Sequence, residues 1–493
     1  MRYYSTRNKD IYVSASQAIL KGISDDGGLF VPEAFPQLPP LEELMGKNYR
    51  ELAFGILKLY LDDYSEEEIL QAVEGAYDHK FEDKDIVPIR KAGGAFFLEL
   101  FKGPTLAFKD MALTVLPYLL KTAAIKQGES KEVVILTATS GDTGKAALEG
   151  FKDVPGTRVV VFYPENGVSK IQRLQMVTQR GANTYVAAVK GNFDDAQNGV
   201  KEIFNDKVFN EELKEKGFIL SSANSINIGR LLPQIVYYVY GYLSLAEQGE
   251  IKLGEKINIA VPTGNFGNIL AAYYAMRMGL PVNKLLCASN DNRVLTDFFE
   301  SNIYDRRRKL ILTSSPSMDI LISSNLERYL FHMSGGNAVE IEDKMRLLQD
   351  RGHYQWSKDS LGPVVPGMAG EQQISSAIEK LWSGDGYLMD PHTAIAYSVW
   401  ERYLKDSGDN VPALIASTAS PFKFSGKVLA SIGEDGYKDE FEGMKRLGDL
   451  MGIPVPERMS ELEKLPIRHS KVCEKSRMRD AVKSFLEGSK TNG

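Results

Sequence analysis

Cysteine is nearly absent, with only Cys287 and Cys473 in 493 residues. They lie far apart in different kinds of segment. They make neither a disulfide framework nor a CxxC metal site. Histidine is scarce as well. His79, His332, His353, His392 and His469 are scattered with no HxxxH or HExxH spacing, so no structural metal is expected. A basic excess is missing: 59 Lys and Arg against 65 Asp and Glu give a net charge of -6, which argues against a nucleic-acid partner. The basic cluster Asp305 to Lys309 reads as a solvated turn. Long apolar runs are also lacking. The stretch from Leu231 to Ala246 is broken by Pro233 and Gln234 and is too short to span a bilayer, so it reads as a buried helix. The opening "MRYYSTRNKD" is too polar for a signal peptide. No repeat or low-complexity tract is present, and the final "SKTNG" reads as a frayed tail. These absences predict a cytoplasmic protein of more than one domain, with no membrane contact.

What is present is an alternation. The first ninety or so residues are mixed. They hold a turn-rich "ISDDGGLFVPE" (Ile23 to Glu33) and a helix-patterned "LEELMGKNYRELAFGILKLYL" (Leu41 to Leu61). From about residue 93, short β-branched runs alternate with helical ones. Strands are expected over Glu132 to Ala138, Arg158 to Pro164, Asn183 to Gly191, Lys256 to Pro262, Lys284 to Asn290 and Val411 to Thr418. Alternation of this kind predicts parallel sheets covered by helices. Ligands in such folds bind beyond the carboxyl ends of strands.

Three loops, one helix start and one lysine stand out. Within "KGPTLAFKDMALTVLPYLLK" (Lys102 to Lys121), most of which reads as helix, Lys109 sits at the mouth of an apolar stretch. A lysine ordinarily lifts its head to solvent along its own stem. The loop after the first core strand is "TSGDTG", Thr139 to Gly144. It suits a carboxylate or phosphate at a helix N-terminus, and it equally suits a plain capping turn. A phosphate-binding GxxxxGK[ST] loop fails here, because Thr139 stands where glycine is needed and Ala146 where a hydroxyl is needed. The loop "TGNFGN" (Thr263 to Asn268) could wrap a phosphate with backbone amides, or simply turn strand into helix. In "STASPFKF" (Ser417 to Phe424), a hydroxyl could hydrogen-bond a ring nitrogen or cap a helix. In "SSANSINIGRLLPQIVYY" (Ser221 to Tyr238), read as a helix with a polar start, Arg230 could grip an oxyanion bidentately or face solvent. Together the features suit pyridoxal phosphate, which needs a lysine, a phosphate cradle and a partner for its ring nitrogen. Burial and nearby positive charge would make that lysine nucleophilic.

The set "GPTLAFKDMAL", "TATSGDTGKAA", "NSINIGRLLPQ", "VPTGNFGN" and "STASPFKF" closely resembles the threonine synthase family in its longer bacterial and fungal form. So do "YYSTRNKD", "PSMDILISSNLERYLF" (Pro316 to Phe331) and "MDPHTAIA" (Met389 to Ala396), across nearly the whole chain. The resemblance implies an α/β enzyme of fold type II, with two parallel-sheet lobes and the cofactor between them. It implies an N-terminal accessory domain (1–92), a catalytic core (93–440, smaller lobe roughly 125–225) and a C-terminal helical extension (441–493). It implies conversion of O-phospho-L-homoserine and water to L-threonine and phosphate by γ-elimination and β-addition, in a monomer or homodimer. Lys109 would hold pyridoxal phosphate as a Schiff base and act as base. Gly264, Asn265, Phe266, Gly267 and Asn268 would hold the cofactor phosphate, and Thr418 would contact the ring nitrogen. Thr139, Ser140, Asp142 and Thr143 would surround the substrate's carboxylate or phosphate, and Asn227 and Arg230 would take the substrate phosphate. Two departures show. The wider fold type commonly has Asn where Asp142 stands, and relatives often have His where Ser420 stands. A serine or threonine dehydratase on the same fold, and a non-catalytic threonine-synthase-like protein, are the alternative readings.

Overall fold

The computed structural model describes residues 1–139, 141–166, 168–357 and 361–488. Eleven strands build its two main sheets. In chain order they are β1 (Ile89–Ala92), β2 (Ala95–Glu99), β3 (Glu132–Ala138), β4 (Thr157–Pro164), β5 (Thr184–Lys190), β6 (Phe218–Ser221), β7 (Ile257–Pro262), β8 (Val282–Ser289), β9 (Val364–Met368), β10 (Ala413–Ser417) and β11 (Lys471–Glu474). The larger sheet runs β9-β8-β7-β10-β2-β1, and the smaller runs β11-β5-β4-β3-β6. All pairings are parallel except β1 with β2, which is antiparallel.

The central strands explain themselves. Every residue of β7, "INIAVP", and of β10, "ALIAS", is buried. A parallel strand covered on both faces has no solvent side, so it reads as a continuous apolar run and not as an alternation. The helix Ile228–Glu247 is buried along most of its length for the same reason. It presses on the larger sheet so closely that a Cβ on Gly241 would stand 2.8 Å from the Leu414 side chain.

Three helix expectations need correction. The stretch from Leu41 to Leu61 is two helices, Leu41–Leu44 and Tyr49–Tyr60. Gly46 turns the chain with φ +75° between them, and Asn48 restarts it through a reciprocal cap with Glu51. The Lys102 to Lys121 stretch also divides, into Asp110–Leu113 and Leu116–Lys126. Pro117 lacks an N–H, and in a continuous helix its ring would clash with the Leu113 carbonyl. Third, the helix expected from Ser221 begins only at Ile228, because Asn227 caps it and Ser221 ends β6. The C-terminal extension, expected to be helical, also contributes β11, paired in parallel with β5. The tail Ser489 to Gly493 lies outside the described residues.

Ahead of the sheets, Tyr3–Ser5, Tyr12–Val13 and Phe30–Pro32 form a small antiparallel sheet. It is tied to the core at Glu327, whose carboxylate accepts from Thr6 Oγ1 at 2.6 Å and pairs with Arg7 at 2.9 Å. No helix among the described residues is long and apolar enough to cross a membrane.

Candidate active site

Lys109 is positioned by a loop that cannot drift. Leu106 adopts φ +58°, a costly conformation for a leucine. The loop is held from inside and from outside. Inside it, the buried Asp110 carboxylate accepts from Thr105 N at 2.7 Å and Thr105 Oγ1 at 2.6 Å. Burial drives that carboxyl up to about 6, against the Thr105 bonds. Outside, the end of β10 stitches it down: Phe108 N donates to Thr418 O at 2.8 Å and Ser420 N to Leu106 O at 3.1 Å. The result is a partly buried Lys109 whose Nζ donates to Ser317 Oγ at 3.3 Å.

The charge around Lys109 is mixed. Burial pushes its amine down from 10.5 to about 8. Asp142 opposes that fall, while Arg230 and Lys423 add to it. Arg230, on the first turn of the Ile228 helix, is itself buried. Its Nη1 donates to Ala223 O at 2.8 Å, and its Nε has no partner among the described residues. Burial lowers this guanidinium to about 10. Among the described residues no carboxylate pairs with it, and Tyr237 is the one group that opposes the effect of its burial.

The turn after β7 forms a second wall. Phe266 takes φ +63° at the cap of the helix Gly267–Arg277. The first turn of a helix carries unpaired N–H groups and suits an anion. A Cβ on Gly264 would stand 2.9 Å from Ser317 O, so the turn lies directly against the segment that touches Lys109. Asn265 O accepts from both Asn325 N and Asn325 Nδ2 at 3.0 Å. Asn325 is fixed in turn by Arg328, a fully buried side chain that donates to Asn325 Oδ1, Phe30 O and Ile226 O. Asn268 Oδ1 accepts from Tyr237 and Tyr238 hydroxyls, while its Nδ2 has no partner among the described residues. Thr418 lies buried beside Phe108, its N–H held by Thr393 Oγ1 at 3.3 Å.

The turn after β3 closes the site from the smaller sheet. Thr139 Oγ1 accepts from Gly141 N and Gly144 N at 3.0 Å and donates to Gly141 O at 3.1 Å. Its side chain shapes the turn from within. Asp142 begins the helix Asp142–Gly150, and its carboxylate turns onto the buried Lys423 ammonium at 2.5 Å and Gln172 Nε2 at 3.3 Å. Burial would raise this carboxyl, but Lys423 and Lys109 together hold it below the ordinary carboxylate range. Thr143 is partly exposed on the same first turn. Ser140 lies outside the described residues. Asn227 is turned away: it caps the Ile228 helix through Gly229 N, and its amide donates to Ile19 O and Ser222 O.

The structure thus gathers Lys109, Asp142, Arg230, Gly264 to Asn268 and Thr418 at the carboxyl ends of strands from both sheets. It directs Thr139 and Asn227 into the protein. The residues that sequence reasoning missed are Ser317, Asn325, Arg328 and Lys423. Lys423 sits inside "STASPFKF" and the other three inside "PSMDILISSNLERYLF".

A phosphate-bearing aldehyde fits this arrangement. Gly264 leaves no room for a side chain, Asn268 offers an unused buried donor, and Lys109 supplies an amine of lowered proton affinity. Fold and site define a pyridoxal-phosphate-dependent enzyme of fold type II. A family model described as "Pyridoxal-phosphate dependent enzyme" matches residues 89–348. It is flanked by "Threonine synthase N terminus" at 2–77 and "Threonine synthase, C-terminal" at 393–486. Threonine synthase of Schizosaccharomyces pombe is 36% identical over 475 residues, 89% of this chain and 90% of that protein. The solved structure of pyridoxal-phosphate-bound threonine synthase from Brucella melitensis has a TM-score of 0.87 at 34% identity, over 99% of each chain. The chain belongs to the threonine synthase family. Threonine synthase-like 1 of Macaca fascicularis is 42% identical over 434 residues, 85% of this chain, but the chain spans only 58% of that protein's length.

Proposed function

We propose that this protein converts O-phospho-L-homoserine and water into L-threonine and phosphate. The observation that carries the reading is Arg230: a buried guanidinium with an unpartnered Nε, close enough to depress the Lys109 amine. A cofactor phosphate alone is served by the Gly264 to Asn268 turn. A second cation beside the amine suits a substrate that brings its own phosphate.

Pyridoxal phosphate, when bound, would supply the electron sink that makes the proton on the amino-bearing α-carbon acidic. The rest falls to side chains. Lys109 Nζ takes the proton from the substrate α-carbon, since its lowered proton affinity leaves a useful neutral fraction near neutral pH. Arg230 and the amides of Asp142 and Thr143, the two in the turn that Thr139 Oγ1 does not occupy, hold the departing phosphate as negative charge grows on it. Thr418 would hold the cofactor ring nitrogen through a neutral hydroxyl, giving a milder sink than a carboxylate would. Loss of phosphate from the γ-carbon also takes a proton from the β-carbon, and a proton returns to the γ-carbon; water then adds its hydroxyl at the β-carbon and the α-carbon regains a proton. In the same reading, 1–92 is an accessory segment, 93–440 the catalytic core with a smaller lobe near 125–225, and 441–493 an extension. The protein acts in the cytoplasm, as a monomer or homodimer.

The test is release of phosphate and threonine from O-phospho-L-homoserine, wild type beside Lys109→Ala. Equal amounts of both products from wild type alone support the reading. Turnover of L-threonine without phosphohomoserine turnover would move the protein to the dehydratases. The similarity to threonine synthase-like 1 favours keeping one other reading, cofactor binding without turnover, which predicts a yellow protein that releases neither product.

A further inference from the structure

Asp142 presents a difficulty. It opens the turn that the proposed function assigns to an anionic substrate, and an unpaired carboxylate there would repel that substrate. Its side chain is 4% exposed and that of Lys423 is 0% exposed, with 2.5 Å between them. Lys423 Nζ also donates to Thr105 O at 3.0 Å, in the loop that leads into Lys109. One ammonium therefore joins three segments: the turn after β10 that carries it, the turn after β3, and the lysine loop. The first and last belong to the larger sheet's side and the second to the smaller.

We propose that Lys423 is a positioning residue that neutralises Asp142, so that the turn after β3 accepts an anion and the Lys109 amine keeps a fixed electrostatic setting. The proposal deepens the function proposed above and rests on it only for the substrate's charge. The charged and titratable groups around Asp142 are Lys423, Lys109 and His392. Those around Lys109 are Asp142, Arg230, Lys423 and Asp110. Without Lys423 the site keeps two cations, Lys109 and Arg230, against a buried and uncompensated Asp142. A buried charge that loses its partner costs far more than the pair contributes. Removing both charges together leaves a neutral pair and the same turn backbone. The two single substitutions should therefore disturb the site in opposite directions, and the double substitution should repair it.

The test uses four pyridoxal-phosphate-loaded proteins: wild type, Lys423→Met, Asp142→Asn, and Asp142→Asn with Lys423→Met. Inorganic phosphate and L-threonine are the probes, each titrated calorimetrically. A second readout is the pH midpoint of the visible absorption band of the Lys109-bound cofactor. Lys423→Met should weaken both probes by about tenfold or more, and the double variant should return within about threefold of wild type. The band midpoint should rise in Lys423→Met, fall in Asp142→Asn and return in the double variant. A role limited to holding the Thr105 loop would not move the midpoint in opposite directions. A double variant as weak as Lys423→Met overturns the proposal, as does wild-type affinity in Lys423→Met. Should Lys423→Met fail to fold, the double variant, which leaves no charge at positions 142 and 423, decides the matter: near-wild-type phosphate affinity supports the proposal and a tenfold loss overturns it. Wild-type holoprotein that binds neither probe also overturns it. None of these readouts requires threonine synthesis, so failure of the proposed reaction would be seen separately.

Discussion

Lys109 should destabilise the fold it serves, and Lys109→Met tests this in the cofactor-free protein. Its amine falls from 10.5 to about 8, chiefly through burial. A tenfold change in proton affinity is worth about 1.4 kcal/mol, so the upper bound on the cost is about 3 kcal/mol. Lys109 is only partly buried, and water screens part of that, leaving about 1–2 kcal/mol. The 3.3 Å bond to Ser317 Oγ is long and returns less than about 1 kcal/mol. The sign follows from proton counts. Below about 8 the amine is charged in both folded and unfolded chains, and the full cost applies. Between 8 and 10.5 the folded chain has released the proton while the unfolded chain still holds it, so stability rises with pH. Above 10.5 the cost is gone. Lys109→Met should therefore raise the urea midpoint near neutral pH, and the advantage should shrink as pH climbs through that window. Urea midpoints compared at matched slope read this out. A variant no more stable than wild type near neutral pH, or a gap that stays constant with pH, would refute the claim that the amine is strained by burial.

Two further perturbations address the cofactor site. Gly264→Ala places a methyl 2.9 Å from a backbone oxygen, Ser317 O, which has no flexible end to swing aside. It should weaken pyridoxal phosphate by about tenfold or more through overpacking, as read by absorbance titration, and unchanged affinity would mean the turn and the Ser317 segment are not in contact. Arg328→Met strips three hydrogen bonds from buried acceptors, among them Asn325 Oδ1. It should lower stability by about 3 kcal/mol and weaken pyridoxal phosphate more than phosphate-free pyridoxal, since Asn325 anchors Asn265; equal losses for the two aldehydes would remove Arg328 from the phosphate cradle.

The architecture was legible because two-sided burial writes itself into runs such as "INIAVP" and "ALIAS". Lys109 was legible because a charge entering an apolar helix conflicts with its surroundings, and such conflicts mark function. Pyridoxal phosphate followed from the combination of these loops with Lys109, since each loop alone also suits an ordinary capping turn. The partnerships were not legible. Lys423 meets Asp142 across 281 residues of chain, and nothing in "SPFKF" distinguishes a buried ammonium from a solvated one. Asn227 went the other way: the resemblance offered it for the substrate phosphate, but its side chain is spent on capping its own helix. Helix breaks were missed where periodicity continued across Gly46 and Pro117, because apolar spacing survives a short interruption that backbone geometry does not.

The strand β11 has a consequence for how the chain is made. It seals the β5 edge of the smaller sheet, and it follows every other described strand in the chain. Until it is made, the β5 edge stands open to any other strand, including that of a neighbouring nascent chain. The smaller sheet depends for its closure on residues remote from the chemistry. A stop codon placed shortly before Lys471 would leave every residue around Lys109 in the polypeptide, and the product would be lost to aggregation before it could be assayed.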